Sequence, residues 1–414
     1  MNPPNRPVSA RALNAAGRVA ARIGVPVVPL DESALLDQAV KRTGLSDFGD
    51  EAFREPLETL LGAYQNEADL STVGRMTARH DIIQLLVNRL RLREDRKRHP
   101  PIAEETIRSP IFITGLPLAG AAPLHRLMAQ DPANRVPKSW EVLHPSPPPE
   151  RYGDSTDPRI ARAEKHLKHL ARLAPELEKI HPVGALLPQD CVTLMAHEFI
   201  SLKFHILNRV PSYQSWLERD DLSLAYASHR RQLQHLQWRC PAERWILRAP
   251  AHLFGLDALF EMFPDARIIQ MHRDPIKVIA LSVRLITLLR AMGSDSVDPI
   301  AIGQEWTKRW MEGLQHCMDF RENQPQLAGR FLDVHYPDLI ADPLRTVSHI
   351  YASLSLPLTE ETDVTMQRFL TENPPHDPGT PADTLRRFGL DHAIENLRYA
   401  NYREHFGIMP EVAG

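Results

Sequence analysis

Cysteine is scarce in this 414-residue chain: Cys191, Cys240 and Cys317 are the full set. They are too few and too scattered for a disulfide framework or a closed zinc site, so a reducing compartment, the cytoplasm, is expected. Long apolar runs are missing as well. No stretch of about 18 apolar residues occurs, so no membrane span is expected, and the first 30 residues lack the apolar core of a signal peptide. Nor is there an excess of basic charge. The 49 Lys and Arg face 52 Asp and Glu, a net charge of −3, which argues against a nucleic-acid partner. No Gly-Lys-Ser/Thr ending follows a glycine loop, no His-Glu-x-x-His pattern offers metal ligands, and no Gly-x-Ser-x-Gly elbow presents a serine nucleophile. An ordinary nucleoside triphosphatase, a catalytic metal and a serine hydrolase of that type are therefore not expected.

Hydrophobic residues make up 43% and charged residues 24%, as in globular proteins. Proline is abundant instead: 36 residues against 19 glycines, where about 21 prolines would be average. That frequency forbids a simple long-helix bundle. From Asp31 to about Arg98 apolar residues recur at helical spacing, as in Leu57, Leu60, Leu61, Tyr64 and Ile82, Ile83, Leu85, Leu86, Leu90. The region ends in the charge run Arg91–Arg98, read as a solvated face. We therefore expect a helical N-terminal region over residues 1–104, with a surface suited to a homo-oligomer, and an α/β domain over 105–414.

After Pro100-Pro101 short apolar strands alternate with helices. Strands are expected at Ser109–Gly115, Trp245–Arg248, Ala266–Met271 and Arg330–Val334, and helices at Pro123–Gln130, Leu253–Phe263 and Leu344–Leu354. Strands apolar on both faces imply a central parallel sheet flanked by helices, with ligands at the carboxyl ends of the strands. The stretch Ile113-Thr114-Gly115-Leu116-Pro117-Leu118-Ala119-Gly120-Ala121-Ala122-Pro123 is then a strand, a turn and a helix start, the generic anion-binding unit.

This stretch resembles the phosphosulfate-binding loop of the sulfotransferases that use 3'-phosphoadenosine 5'-phosphosulfate (PAPS). The resemblance continues through Asp131-Pro132, Trp140-Glu141, the Pro145–Pro149 patch, His181–Gly184, Val210–Tyr213, Gln234–Arg239 and Trp245–Phe254. It extends through Phe263–Arg267, His272–Pro275 and Asp342-Pro343 to Phe388–Asp391, covering roughly residues 105 to 410. It implies the P-loop-like sulfotransferase fold.

The departures fall on the implied cofactor contacts. The family loop reads Gly-Leu-Pro-Arg-Ser-Gly-Thr-Thr; Leu118, Ala119, Ala121 and Ala122 stand at its cation and three hydroxyls. Each charge-assisted hydrogen bond lost weakens binding by about 1.5–3 kcal/mol. Gly120 and Arg273 match the family pattern, but the serine expected eight residues after Arg273 is Leu281, with Ser282 next to it. Gly379-Thr380-Pro381-Ala382-Asp383 replaces a Gly-x-His-x-Tyr segment over the nucleotide. Gly120, Arg273 and Ser282 are thus the cofactor-binding residues only if PAPS still binds; otherwise no cofactor is expected.

Where the family has Leu-Lys-Ser-Pro-x-His, this chain has Leu247-Arg248-Ala249-Pro250-Ala251-His252, and Pro188-Gln189-Asp190-Cys191 stands for a Pro-Glu-Glu-Cys stretch bordering the acceptor. Asp190 and His252 are the candidate acid–base pair, with Arg248 and Glu141 as orienting groups and His125 and His272 in reserve. His197-Glu198 is read as part of one helix, with Glu198 at the surface. The expected function is cofactor-independent acid–base chemistry on a hydrophobic small molecule: cyclisation, elimination, isomerisation or hydrolysis, in natural-product biosynthesis. The alternatives are a genuine PAPS-dependent sulfotransferase with other cofactor contacts, and a non-catalytic binding protein.

Overall fold

Ile111, Phe112 and Ile113 give one short strand apolar side chains on both faces, and such a strand is stable only in a sheet covered on both sides. The structure, a computed structural model, describes residues 8–22, 28–150, 156–180, 182–241, 243–374 and 384–411. Among the described residues five strands form the sheet: β1 (Ile111–Gly115), β2 (Asn134–Arg135), β3 (Arg244–Arg248), β4 (Arg267–His272) and β5 (Phe331–His335). They lie in the order β2-β3-β1-β4-β5, all pairs parallel. Every residue of β1 is buried, and Ile111 stands opposite Ile246 of β3 and Arg267 of β4. The chain leaves β1 for one edge, returns through β3 and crosses to β4 and β5. This reversal beside β1 opens a crevice at the carboxyl ends of the strands, where ligands bind in open α/β sheets.

Four strands lie where the sequence places them, with ends displaced by one or two residues. β2 escapes sequence reading because it is two polar residues long. The helix expected at Leu253–Phe263 splits: Pro250–Phe254 is a 3-10 turn, and the α-helix proper is Leu256–Met262. Pro250 fixes the tight turn, and Gly255 separates the two pieces.

The helices Val8–Arg22, Glu32–Thr43, Arg54–Asn66 and Thr72–Arg98 make up the N-terminal part. The hydroxyl of Ser71 caps the last of them by accepting from the Gly74 amide at 3.1 Å. This helix lies so close to the end of the Pro275–Gly293 helix that a Cβ on Gly74 would fall 1.9 Å from the Gly293 carbonyl. Its apolar face shares one continuous core with the sheet. The basic run at its end is matched by acids: Lys97 and Arg93 pair with Asp47, and Arg98 with Glu94. No helix among the described residues is long and apolar enough to cross a membrane.

Histidine has an unexpected place in this core. Eight histidines are buried among the described residues. Burial pushes His125 and His229 down to about 3, and His197 and His235 to about 4. These rings are neutral in the folded chain, whereas an unfolded histidine takes a proton near about 6.5. The unfolded state therefore binds more protons below that pH. Stability is complete above about pH 6.5 and falls as the pH drops toward 4, by about 1.4 kcal/mol per unit for each such ring. His229 isolates the effect, since neither ring nitrogen has a partner and it packs edge-on against Phe263. In urea titrations, His229→Leu is expected to raise stability far more at pH 5 than at pH 7.5. Equal gains at both pH values would refute the titration.

Candidate functional site

β1 ends at Gly115, with φ 130°; a Cβ there would lie 2.4 Å from the Met271 carbonyl, so only glycine fits. The chain turns through Leu118 (φ 63°) and Gly120 (φ 101°) into the helix Ala121–Met128. The strand–turn–helix unit expected from the sequence is therefore present. What lies over it is apolar. A Cβ built on Gly120 would meet the Tyr336 ring at 2.8 Å, the Met271 methyl at 3.0 Å and a Leu339 methyl at 3.4 Å. Ala119 is fully buried, and neither Leu118, Ala119, Ala121 nor Ala122 carries a polar side-chain atom toward a ligand.

Arg273 follows directly after β4, and its guanidinium lies 3.9 Å over the Tyr336 ring. A carboxylate from the far end of the chain already holds it. Nε meets Glu411 Oε1 at 2.9 Å and Nη2 meets Oε2 at 3.0 Å, a two-point pairing. The Glu411 amide in turn donates to Asp274 Oδ2 at 2.9 Å. Ser282 does not join Arg273. It is buried between two long helices, where its Oγ accepts from Trp310 Nε1 at 3.2 Å. Of the three candidate cofactor residues, Gly120 and Arg273 both lie against the Tyr336 ring and Ser282 belongs to the core. The residues present thus do not match the anion-binding set that the resemblance implies. The segment Gly379–Asp383 and His181 lie outside the described residues.

Arg248 is the last residue of β3, and its Nη1 stands 3.2 Å from Asp190 Oδ2. Asp190 also caps the short helix Cys191–Met195 by accepting from the Val192 amide at 3.4 Å. Burial raises the Asp190 carboxyl above the usual carboxylate range, with Arg248 acting against the rise. His252 turns inward from the 3-10 turn instead. It is fully buried, with Nδ1 2.7 Å from the Tyr226 hydroxyl, Nε2 without a partner and the Phe112 ring edge-on at 5.0 Å. Burial, then His229 and Arg248, hold it well below the ordinary histidine value, so it is neutral. The expected Asp190–His252 pairing is therefore replaced by Asp190 with Arg248 and His252 with Tyr226. The carboxylate finds the strand-end cation, while the ring sits in the core.

Glu141 takes no part in this group. It is fully buried, binds Arg135 Nη2 at 2.7 Å and accepts from the Lys138 amide at 2.8 Å, capping its own helix. The reserve histidines are structural too. His125 contacts the Ile246 carbonyl at 2.9 Å, and His272 is held between Tyr402 and Asp333. Glu198 is not a surface residue: it is buried and paired with Arg89 and Arg231, and with His197 it occupies a 3-10 turn rather than one helix with Cys191. Sequence reasoning missed Tyr336, Tyr226 and Glu411. No spacing signal marks them, because each comes from a segment distant along the chain.

The family model described as "Sulfotransferase family" matches residues 110–360. The omega-hydroxy-beta-dihydromenaquinone-9 sulfotransferase Stf3 of Mycobacterium bovis is 25% identical over 268 residues, 62% of this chain and 65% of that protein. The chain thus spans about 65% of the length of that relative. Among solved structures, sulfotransferase STF1 from Mycobacterium tuberculosis H37Rv aligns with a TM-score of 0.78 at 32% identity, over 90% of this chain and 98% of its own. Sulfotransferase STF9 from Mycobacterium avium aligns with a TM-score of 0.83 at 26% identity, over 93% and 98%.

Proposed function

The chain belongs to the sulfotransferase family, and on that premise we propose that it is an enzyme using the fold for acid–base chemistry on a hydrophobic small molecule, without PAPS. One observation carries the reading: the Arg273 guanidinium is satisfied at two points by Glu411, beneath a loop whose side chains offer neither cation nor hydroxyl. A polyanion entering there would have to displace a carboxylate and find no replacement for the missing donors. Asp190 is the proton acceptor, suited to it by the burial that raises its carboxyl. Arg248 orients Asp190 and steadies negative charge that develops on the substrate. The substrate named for the Stf3 relative, a menaquinone derivative, supports a hydrophobic substrate, and Leu118, partly exposed on the loop, offers it an apolar contact. Cyclisation, elimination, isomerisation and hydrolysis all fit, since each needs only positioning and proton transfer.

A second reading is PAPS-dependent sulfuryl transfer, favoured by the intact strand–turn–helix backbone at Gly115–Met128 and the 32% identity to STF1. Thermal unfolding with 3'-phosphoadenosine 5'-phosphate separates the two. A ligand at about 100 times its Kd stabilises by about 2.7 kcal/mol. No shift in melting temperature is expected from the nucleotide at millimolar concentration; a shift that saturates at micromolar concentration replaces the first reading with the second.

A further inference from the structure

Near the carboxyl end of β3 one guanidinium, that of Arg248, is paired with a carboxylate, and a second, that of Arg126 on the neighbouring helix, has no partner among the described residues. Arg248 gives Nη1 to Asp190, while its Nε is buried without a partner. Arg126 lies on the helix Ala121–Met128, one residue after His125, whose ring rests on the carbonyl of Ile246, two residues before Arg248. Among the described residues the Arg126 side chain makes no hydrogen bond or ion pair, and its Nε too is buried. Burial first, and then the neighbouring Arg248, makes the Arg126 charge harder to hold. An unpaired, half-buried guanidinium beside a second cation is destabilising, and a fold keeps such an arrangement where a ligand supplies the missing negative charge.

We propose that Arg126 and Arg248 form a receptor for the oxyanion group of a hydrophobic ligand, a carboxylate, sulfate or phosphate monoester seated between the two guanidiniums beside Asp190. Resting on the reading of Arg248 and Asp190 given above, this names the substrate class: an amphiphile with an apolar body and one anionic head. A guanidinium fork suits that head because its planar N–H groups bind oxyanions in pairs. The head would lie beside Asp190, the carboxyl that accepts the proton.

The test uses the whole chain with octanoate, octyl sulfate and octanol as probes, followed by calorimetry and thermal unfolding. The wild type is expected to bind at least one of the two anions about tenfold or more tighter than octanol, and Arg126→Met to lose that preference. Without ligand, Arg126→Met is expected to melt higher than the wild type, because an unpaired guanidinium is gone; a merely structural arginine would leave a variant that melts lower. Equal affinity for anions and octanol, no binding of any anion, or an unchanged preference in Arg126→Met overturns the proposal. Inorganic phosphate matching the alkyl anions would assign the cations to a free ion and overturn the amphiphile. Binding of 3'-phosphoadenosine 5'-phosphate would refute the PAPS-free reading alone; if Arg126→Met also abolished it, the cations would serve the nucleotide and this proposal would fall as well.

Discussion

Asp190→Asn is expected to lower turnover by about 10²–10⁴-fold, the usual contribution of a positioned general base. Asparagine keeps the size of the side chain and an oxygen to accept from the Val192 amide, so the helix Cys191–Met195 stays capped. Arg248 keeps a neutral acceptor in place of a charged one, and the stability lost is about 1–3 kcal/mol. The proton-accepting capacity is what disappears. The wild-type rate should also fall as the pH drops through the raised Asp190 value, because the protonated carboxyl cannot accept a proton. The metabolite consumed can be found by incubating the wild type with extracts and comparing mass spectra; rates on it then decide. Turnover within about threefold of wild type in Asp190→Asn, or a variant that keeps the acid limb of the pH profile, removes Asp190 from the chemistry.

Glu141→Ala should destabilise the protein by about 3–5 kcal/mol, the usual result of removing one partner of a buried ion pair. Arg135, nearly buried over the Trp245 ring at 5.0 Å, would keep the Leu236 carbonyl at 3.1 Å but lose the Glu141 carboxylate. The amide of Lys138 would lose its acceptor at the same time. Glu141→Gln, which keeps one acceptor oxygen, is expected to fall between alanine and wild type in guanidinium titrations. It also covers the case in which the alanine variant does not fold. Turnover per folded molecule should be unchanged in Glu141→Gln. A loss of turnover with wild-type stability would return Glu141 to the active site.

The sheet was legible because β1, β3 and β4 carry apolar residues on both faces, a pattern that reports burial directly, whereas the edge strand β5 is only partly buried and was marked by Phe331, Leu332 and Val334. The turn at Gly115–Gly120 was legible because glycine at positive φ leaves a mark in the sequence. The partners of the candidate side chains were not. Arg248 and Asp190 are 58 positions apart, Arg273 and Glu411 138 apart, and no local period encodes such contacts. Glu141 illustrates the reverse error. A Trp-Glu dipeptide carried over by resemblance suggested an orienting group near the site, whereas the carboxylate is consumed by Arg135 and a helix end. His252 misled because a histidine after a strand end is equally suited to a site and to a core, and only the Tyr226 contact and its complete burial distinguish them.

The position of β1 has a consequence for biosynthesis. Among the described residues it is the first strand in chain order and the middle one of the finished sheet, yet Ile111 waits for Ile246 on one side and Arg267 on the other. For the whole interval in which those 135 and 156 residues are made, a segment apolar on both faces has two open edges. Exposed strand edges of this kind template association between chains. Yield from expression should therefore track temperature and chaperone supply more than the stability of the finished fold, and fragments ending before β3 should accumulate as aggregates.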